Sequence, residues 1–581
     1  MTIYRRGRYL LNILLVISFL ASCAPRMAVP APTTTSTATT MPMITATPIP
    51  DLSIDLLPFI HMDNVTYNGN TIVMNNMEST NWLGTGAGPF PIATPFDLKI
   101  EYSMEGDFGG ITLYGNIGTP DSSSLPRIVI GPMGKIGFIN DQTGTTQEYD
   151  IPVENGKAFF LNFLDPQGKQ IEVLTETGQA VKQFDVTKDL NGIDLPDGLF
   201  PNKEFFFDIQ TAPKSKLEIS QLSMQVSPDG VYAAAIDTKC SLTVGDQEII
   251  LTNEQLRAAG LRNWPDTILG VWRDGDIYHF IGASPQDSGF LRYSALANGT
   301  LDNPISVSVE PTIPIQKVKD TYGYIGGGPV YRDTKTGTLL MIYDTEKYPP
   351  DSGVHSNNTP VHNVDGMAKS TDNGKTWTDL GIILDTEFPG WADWNIGVGN
   401  APFVINGDYF YVYITDVLIA NPRFDIGTTV ARAKVADVLD AAINHDTVVP
   451  WFKYYQGQWS QPGIGGKSSP IEIGNPQSTD FSVSYNEYLG RYIKINPSIL
   501  GDFTHLYLSE SVDGIHWTLR VPIDESPGDK VFPTIIGLGS DPSITDKDFY
   551  VYYLFTPNWA EADAHGHTVL ARRKISCGPD N

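Results

Sequence analysis

Acidic side chains recur at the ends of paired apolar strands in the C-terminal part of this sequence. Strand–turn–strand segments begin at Asp266, Gly326, Gly399, Thr479 and Ser540. Short polar turns such as Asp-Gly and Asn-Gly separate apolar runs within them, the pattern of a β-hairpin. In a hairpin, the first strand starts at the edge where the second strand ends. The pattern therefore predicts that six carboxylates share one edge: Asp266, Asp344, Glu346, Asp416, Asp480 and Asp541.

Crowded carboxylates of this kind can perform acid–base chemistry. Like charges at short range raise one another's pKa, so one carboxyl group stays protonated at neutral pH beside an ionised partner. Hydrolysis of a glycosidic bond needs that pair: an acid for the leaving oxygen and a base or nucleophile at the anomeric carbon. The alternative is that each Asp caps a turn or that several bind a structural Ca²⁺ ion.

Roles can be assigned from position along the hairpins. Asp266 opens the first inner strand, so we expect it to act as base or nucleophile. Glu346 lies just past the second hairpin beside Asp344, which we expect to raise its pKa and make it the general acid. Asp480 comes from the fourth hairpin, which we expect on the opposite side of the site from the first. It would orient the substrate or adjust the pKa values of the catalytic pair.

Further residues at the same edge could bind a sugar. An exposed Trp offers an apolar face, and a carboxylate or amide accepts hydroxyl hydrogens. For Trp391 and Trp394, the alternative is that they pack within the fold. The predicted substrate-binding residues are Trp391, Asp393, Trp394, Asn400, Asp416 and Asp541.

The spacing of the hairpins predicts the elements that position these residues. Their starts recur every ~60–80 residues, a length suited to blades of four strands each. Residues 230–581 are therefore predicted to form a five-bladed β-propeller, interrupted by one helix, Val435–Asn444. The segment Val231–Leu251 could supply the missing outer strand of the last blade. That pairing would join the two ends of the propeller. Cys240 and Cys577 flank this junction and are predicted to form a disulfide.

The preceding unit, residues 51–229, reads as strands almost throughout. Segments such as FDLKIEYSM and EFFFDIQT alternate or run apolar between Gly, Asp, Asn and Pro, and none has a helical period. We predict an all-β chain: a jelly-roll β-sandwich followed by the propeller. The order of these segments resembles the concanavalin-like sandwiches attached to carbohydrate enzymes. A structural spacer and a glycan-binding domain are both open for this unit.

The N-terminal segment predicts export and lipid anchoring. Arginines precede an apolar run in residues 1–23, which ends in Leu-Ala-Ser-Cys and resembles the bacterial lipoprotein box, with Cys23 as the lipidated residue. Residues 24–50 are rich in Pro and Thr, a composition typical of an extended linker. The expected location is therefore the outer face of a bacterial membrane, through a lipid anchor at Cys23.

Charge and composition exclude several functions. A net charge of −27 and a pI of about 4.6 argue against nucleic acid as a partner, because such binding needs clustered Lys and Arg. No His lies at a convincing zinc spacing from other ligands. We expect no required cofactor or metal, with structural Ca²⁺ as an option, and a carbohydrate as the partner.

Two short motifs carry a further resemblance. Ser370–Trp377 matches the Asp-box pattern S-x-D-x-G-x-x-W, and Ser511–Trp517 is one residue shorter. These boxes resemble those of sialidases and other propeller glycosidases, in which they form turns away from the usual site. No hairpin opens with an Arg that could bind a substrate carboxylate, so a sialidase-like enzyme ranks second.

The last ~350 residues resemble the five-bladed propeller glycoside hydrolases of the arabinanase, β-xylosidase and fructosidase group. That resemblance implies an Asp at the start of the first inner strand, which Asp266 matches. It also implies a second Asp and a Glu from neighbouring blades, and here Glu346 ends a second strand while Asn400 stands where an acid is expected. The predicted function is hydrolysis of a neutral oligo- or polysaccharide at the cell surface. The alternative is a surface lipoprotein that binds glycan without cleaving it.

Overall fold

The computed structural model describes most of the chain between residues 52 and 578. The residues outside the description are 1–51, 58–59, 61–64, 69–70, 116–126, 132–133, 141–144, 152–153, 189–194, 202, 227–238, 262, 285–292, 313–323, 348–360, 388–395, 418–425, 473–479, 500–501, 519, 525, 558–566 and 579–581. Among the described residues, no helix is long and apolar enough to cross a membrane.

The N-terminal unit consists of two antiparallel sheets. Its strands β1 to β14 are, in chain order, Leu52–Asp55, Thr66–Asn68, Thr71–Asn75, Leu83–Pro91, Phe96–Glu105, Gly109–Gly115, Arg127–Gly131, Lys135–Asn140, Thr145–Asp150, Phe159–Phe163, Gln170–Thr175, Ala180–Asp185, Glu204–Thr211 and Lys216–Val226. One sheet has eight strands in the order β12-β11-β10-β5-β14-β3-β2, with β1 also paired to β14. The other has six, in the order β4-β13-β6-β7-β8-β9.

Alternating side chains hold these two sheets together. Along β5, Phe96, Leu98 and Ile100 are buried while the residues between them are half-buried. Because successive side chains of a strand point to opposite faces, this alternation defines a core face and an outer face. The core faces of both sheets contribute to one apolar cluster, in which Phe96 and Phe163 stack with ring centroids 4.5 Å apart.

The C-terminal unit contains the remaining strands and two helices. Strands β15 to β39 are, in chain order, Ser241–Val244, Glu248–Leu251, Gly270–Asp274, Ile277–Ser284, Tyr293–Gly299, Ser308–Thr312, Tyr324–Gly326, Val330–Arg332, Leu339–Lys347, His362–Ser370, Thr378–Leu384, Ile396–Gly399, Phe403–Asn406, Tyr409–Val417, Ile426–Lys434, Phe452–Tyr455, Gln458–Pro462, Ser482–Asn486, Arg491–Ile499, Asp502–Ser511, Val521–Asp524, Asp529–Gly537, Ile544–Thr545, Asp548–Thr556 and Val569–Gly578. Helix α1 is Asn253–Ala258 and helix α2 is Val435–His445.

These strands form five antiparallel groups, here called the first to fifth sheets. The first holds β17–β20, and the fourth holds β32–β35 with β37. The second, β21–β25, and the third, β26–β31, are the two parts of one continuous 11-stranded sheet. The fifth holds β36, β38 and β39 together with β15 and β16 from the start of the unit. A short parallel pairing of β24 with β26 joins the second sheet to the third.

Each of these sheets shares an apolar core with two neighbours. One buried pair for each shared core is Trp272 with Trp377, Leu340 with Phe410, Tyr413 with Trp517, Ile495 with Val551, and Phe280 with Tyr552. The cores join the first sheet to the second, the second to the third, the third to the fourth, the fourth to the fifth, and the fifth to the first. The packing of the five sheets is therefore cyclic.

The two ends of the C-terminal unit meet in the fifth sheet. Leu242 pairs with Cys577 and Ile249 with Ala571, so β15 and β16 both lie against β39. The sulfur atoms of Cys240 and Cys577 are 2.08 Å apart, a disulfide bond between residues 337 positions apart in sequence. Linking distant positions restricts the unfolded chain more than linking near ones, so this bond favours the folded state.

The sequence prediction of the fifth hairpin was wrong in position. The inner strand of the fifth sheet is Asp529–Gly537, which pairs with Asp548–Thr556. The segment from Ser540 lies in the turn between them, where Ile544–Thr545 pairs with β32 of the fourth sheet. A register shift between Val531 and Thr534, beside Pro533, interrupts the inner strand. Because proline removes a ladder donor, this strand does not read as a regular one in the sequence.

The helices differ slightly from the prediction. Helix α2 begins where expected and ends one residue later, at His445. Helix α1 was not anticipated, although Thr252 and Gln255 form a capping box at its start.

Candidate active site

The starts of inner strands and the ends of second strands meet at one edge of the sheets, here called the mouth. The backbone amide of Asp266 donates to the carbonyl of Ala283, at 2.9 Å, next to the end of β18. The hydroxyl of Thr267 donates to the carbonyl of Gly327, at 2.6 Å, at the start of the second sheet. Asp266 therefore lies at the mouth beside the second sheet, as the sequence predicted.

A group of acids lies on one face of the second sheet at this edge. Asp344 and Glu346 are two positions apart on β23, and they face Asp365 and Asn363 on β24 in register. Residues directly opposite in an antiparallel pair place their side chains on the same face, with Cβ atoms about 5 Å apart. The same face of β23 carries Leu340 and Ile342, which pack against the third sheet. The acids therefore point toward the gap between the second and third sheets.

Asp344 is an acid of this group whose environment strongly favours the neutral form. Its Oδ1 atom is covered from solvent and has no hydrogen-bond partner, although the residue keeps some exposed surface. Burial raises the pKa of Asp344 well above its usual value, and the charges of Asp365, Glu346 and Asp480 raise it further. Only the backbone amide of Thr345 acts in the opposite direction. Burial and the neighbouring charges therefore favour the protonated form of this carboxyl group.

The third sheet leaves room for this carboxyl group at a glycine. A Cβ atom built on Gly399 would come 3.3 Å from Oδ1 of Asp344. A larger residue on β26 would therefore press on the acid, which makes the glycine part of the wall of the site.

Asp365 lies deeper in the same gap. It is fully buried, and neither of its carboxyl oxygens has a hydrogen-bond partner. Burial raises the pKa of Asp365 well above its usual value, the charge of Asp416 adds to this, and that of Lys453 opposes it. A buried carboxyl without donors is costly as an anion, so the neutral form is favoured here too.

Lys453 is the cation below this acid group. Its ammonium group is fully buried, 2.7 Å from Oδ2 of Asp416, and also donates to the carbonyls of Asp385 and Gly466. Asp385 in turn contacts Nε2 of His362 at 2.6 Å. Lys453 neutralises one carboxylate of the gap, while Asp344 and Asp365 receive no such partner.

Asp480 approaches from the fourth sheet. It precedes β32 and has a φ of 61°, in the left-handed region, as does Asn400 at the corresponding point of the third sheet, with a φ of 60°. The side-chain amide of Asn400 donates to the carbonyl of Phe481 at 3.0 Å and so ties the two sheet starts together. The charge of Asp480 reaches Asp344, so the mouth gathers acids from both the second and the fourth sheets.

Two predicted substrate-binding residues are not placed to contact a substrate at the mouth. Asp416 was expected to bind substrate, but it is 1% exposed, and its Oδ2 is occupied by Lys453 and by the hydroxyl of Ser468. Asp541 was expected at the mouth, but it lies in the turn at the opposite end of the fifth sheet, where its carboxylate accepts from the amide and hydroxyl of Ser543. Both positions correct the sequence reading. Trp391, Asp393, Trp394 and Cys23 lie outside the described residues.

Sequence reasoning missed the part played by Asp344, Asp365 and Lys453. Asp344 was placed at the shared edge but given no role except to perturb Glu346, whereas its own pKa is raised by burial and by neighbouring charges that include Glu346. The signal that could have found Asp365 is its place in VHNVDGMAKST, a strand directly after the Asp344 hairpin. Lys453 sits in an aromatic segment, WFKYY, which gives no sign of a buried charge.

The two Ser–Trp motifs form turns away from the mouth. Ser370–Trp377 links β24 to β25, where the carboxylate of Asp372 accepts from the amide and the hydroxyl of Thr376. In the turn after β34, the carboxylate of Asp513 accepts from the amides of Ile515 and His516. Each of these carboxylates is satisfied locally.

Among the residues that the structure describes, no group of three or more His, Cys, Asp or Glu side chains could hold a metal ion.

Comparison with known proteins gives distant structural similarity only. No family model and no curated protein matches the chain. A GH62 α-L-arabinofuranosidase catalytic domain from Coprinopsis cinerea is 10% identical, with a TM-score of 0.36, and the match covers 58% of this chain and 97% of that one. A family 117 glycoside hydrolase from Zobellia galactanivorans is 9% identical, with a TM-score of 0.34, over 59% and 86% of the two chains. A structure of NanB with Optactamide is 9% identical, with a TM-score of 0.30, over 85% and 98%. The chain is similar to these structures at a level that does not establish a shared activity.

Proposed function

We propose that this protein is a glycoside hydrolase whose active site is the acidic mouth of a five-bladed propeller formed by the five sheets. The observation that carries the proposal is the carboxyl group of Asp344, which is covered, has an unpartnered oxygen and a raised pKa, and lies among other carboxyls. A protonated acid beside ionised ones is the requirement for cleaving a glycosidic bond.

Asp344 takes the role of general acid in this proposal, in place of Glu346. It would donate its proton to the glycosidic oxygen as the bond to the anomeric carbon breaks. Glu346, Asp480 or Asp266 would remain ionised and act as base toward water or as nucleophile. Glu346 and Asp480 are the stronger candidates, because their charges reach Asp344.

A neutral glycan is the proposed substrate class. The mouth gathers several carboxyls, and the buried cation nearest to them, Lys453, is already neutralised by Asp416. An anionic sugar would meet repulsion there. The supporting context is a proposed extracytoplasmic lipoprotein anchored at Cys23, with a Pro/Thr-rich linker at 24–50, a jelly-roll sandwich over 51–229 and the propeller over 230–581.

The test is turnover by Asp344→Asn on a panel of arabinans, xylans and fructans that the wild-type protein is first shown to cleave. We expect kcat to fall at least ~10²–10⁴-fold, the usual contribution of general acid catalysis, with an unchanged circular dichroism spectrum. Asp541→Asn, at the opposite end of the fifth sheet, is the matched control and should keep wild-type turnover. Full activity of Asp344→Asn on a cleaved substrate would overturn the assignment.

The same variants separate the acid from the base. Because a good leaving group needs little protonation, Asp344→Asn should lose far less activity on an aryl glycoside than on a polysaccharide. Replacement of the base or nucleophile should lower activity equally on the aryl glycoside and on the polysaccharide. Glu346→Gln, Asp480→Asn and Asp266→Asn would be compared in this way to find which of them fits.

A further inference from the structure

The outer face of the eight-stranded sheet carries two rows of polar side chains across its central strands. Asp97 on β5 lies opposite Asn162 on one side and Gln225 on the other, and Asn162 lies opposite Glu172. This first row spans four strands, about 14 Å at the usual strand spacing. All four residues are half-buried.

A second row runs beside the first. Lys99 lies opposite Phe160 and Ser223, and its ammonium group is 5.8 Å from the centroid of the Phe160 ring. Phe160 is half-buried and is the aromatic residue of this face, since Phe159 and Phe163 of the same strand belong to the core.

Polar groups of these rows have no hydrogen-bond partner within the chain. Ser223 is 4% exposed, and its Oγ atom is covered and unpartnered. Its neighbours Leu222 and Met224 lie in the core, so Ser223 faces the polar rows. Among the described residues, the side chains of Asp97, Asn162, Glu172 and Gln225 also form no hydrogen bond to another group of the protein.

The carboxyl group of Asp97 shows the cost of this arrangement. Burial raises the pKa of Asp97 to about 6, and the charge of Glu172 contributes. An acid that is half-buried, next to a second acid and without donors does not serve the stability of the sheet. Half-buried polar side chains without hydrogen-bond partners can accept hydrogen bonds from a bound ligand.

We propose that this face is a second carbohydrate-binding site, separate from the mouth, that takes a neutral polysaccharide. The ring of Phe160 offers an apolar surface for a sugar ring, and the carboxylates and amides of the first row accept and donate to its hydroxyls. Asp55 on β1 lies opposite Ser223, and burial raises the pKa of Asp55 while a hydrogen bond from the amide of Leu57 opposes that shift. Asp55, Asp97 and Glu172 together outweigh Lys99 in charge, which disfavours anionic sugars. The proposal does not rest on the hydrolytic activity, because no residue of the mouth takes part.

The test is affinity electrophoresis of the full chain in native gels that contain arabinan, xylan or fructan, in the Asp344→Asn background so that the polysaccharide persists. We expect at least one polysaccharide to retard migration. Phe160→Ala and Asn162→Ala should each weaken the apparent affinity about tenfold or more, because stacking and hydrogen bonds are lost. Thr146→Ala, on the exposed strand β9 of the other sheet, is the matched control and should leave retardation unchanged.

A change of pH gives an independent readout. Protonation of Asp97 removes a charged acceptor, so retardation should be weaker at pH 5 than at pH 7.5, and Asp97→Asn should lose that difference. The proposal is overturned if none of the three polysaccharides retards the protein at pH 7.5. It is also overturned if Phe160→Ala and Asn162→Ala, both with a wild-type circular dichroism spectrum, are retarded as strongly as their parent.

Discussion

The mouth and the Ser–Trp turns use the same residue type in opposite environments. In the turns, Asp372 and Asp513 accept hydrogen bonds from nearby amides and side chains, and these bonds hold the pKa of each carboxyl below its usual value. At the mouth, Asp344 and Asp365 have unpartnered oxygens, and burial with neighbouring charges raises their pKa. A turn carboxylate stabilises the fold as an anion, whereas a mouth carboxyl costs stability at neutral pH. Carboxyl groups that cost stability in this way are typical of functional sites.

Lys453 is the buried cation next to the acids of the mouth, and its removal is expected to have the largest effect on stability. In Lys453→Met, the carboxylate of Asp416 is left buried without its cation, 1% exposed. Removing one partner of a buried ion pair typically costs about 3–5 kcal/mol of unfolding free energy. Denaturant unfolding at pH 7.5 measures this loss.

The matched control for that variant is Lys467→Met, an exposed lysine in the loop that follows β31. Its unfolding free energy should change by less than about 1 kcal/mol, as for a surface charge. Equal stability of Lys453→Met and the wild-type protein would contradict a stabilising role for the ion pair of Lys453 with Asp416.

A turn carboxylate should give a smaller effect on stability and none on activity. In Asp372→Ala, the amide and hydroxyl of Thr376 and the hydroxyl of Ser370 lose their acceptor. Because these groups are partly solvated, we expect a loss of about 1–2 kcal/mol in unfolding free energy. Turnover on a cleaved polysaccharide should stay at the wild-type value, in contrast with Asp344→Asn, and a large fall in kcat would show that the turn is coupled to the mouth.

Much of the fold could be predicted because its signals are local. Alternating apolar residues and Asp-Gly or Asn-Gly turns indicated the hairpins from Asp266 and Gly399, and the Ser–Trp motifs indicated two turns between outer strands. The inner strand of the fifth sheet was missed because a bulge beside Pro533 interrupts its pattern. That single error placed Asp541 at the wrong end of the sheet.

The site was only partly predictable because its chemistry depends on pairing between strands. Position along a hairpin placed Asp266, Glu346 and Asp480 at the mouth. Which acid has the raised pKa depends on the register of β23 with β24, which sets Asp344 opposite Asp365, and on a glycine of the next sheet. The cation that occupies Asp416 comes from β30, more than 30 residues further along the chain. None of these contacts leaves a periodic signal in the sequence.

The pH dependence of stability gives the smallest effect and the most direct comparison of the two environments. A carboxyl with a raised folded-state pKa makes the native state bind protons that the unfolded state releases, so its contribution to stability falls as pH rises above about 4. A carboxyl with a lowered pKa contributes stability above about pH 4 and loses it as pH falls toward its folded-state pKa. Asp365 is of the first kind and Asp372 of the second. Relative to the wild-type protein, Asp365→Asn should therefore be more stable at pH 8 than at pH 4.5, because the amide cannot ionise. Asp372→Asn should be less stable than the wild-type protein at pH 7, and the difference should shrink as pH falls below about 4, toward the lowered folded-state pKa of Asp372. Thermal unfolding of both variants across this range tests the signs. If Asp365→Asn instead lost stability as pH rose, Asp365 would have to be ionised and paired in the native protein, and the mouth would resemble the turns.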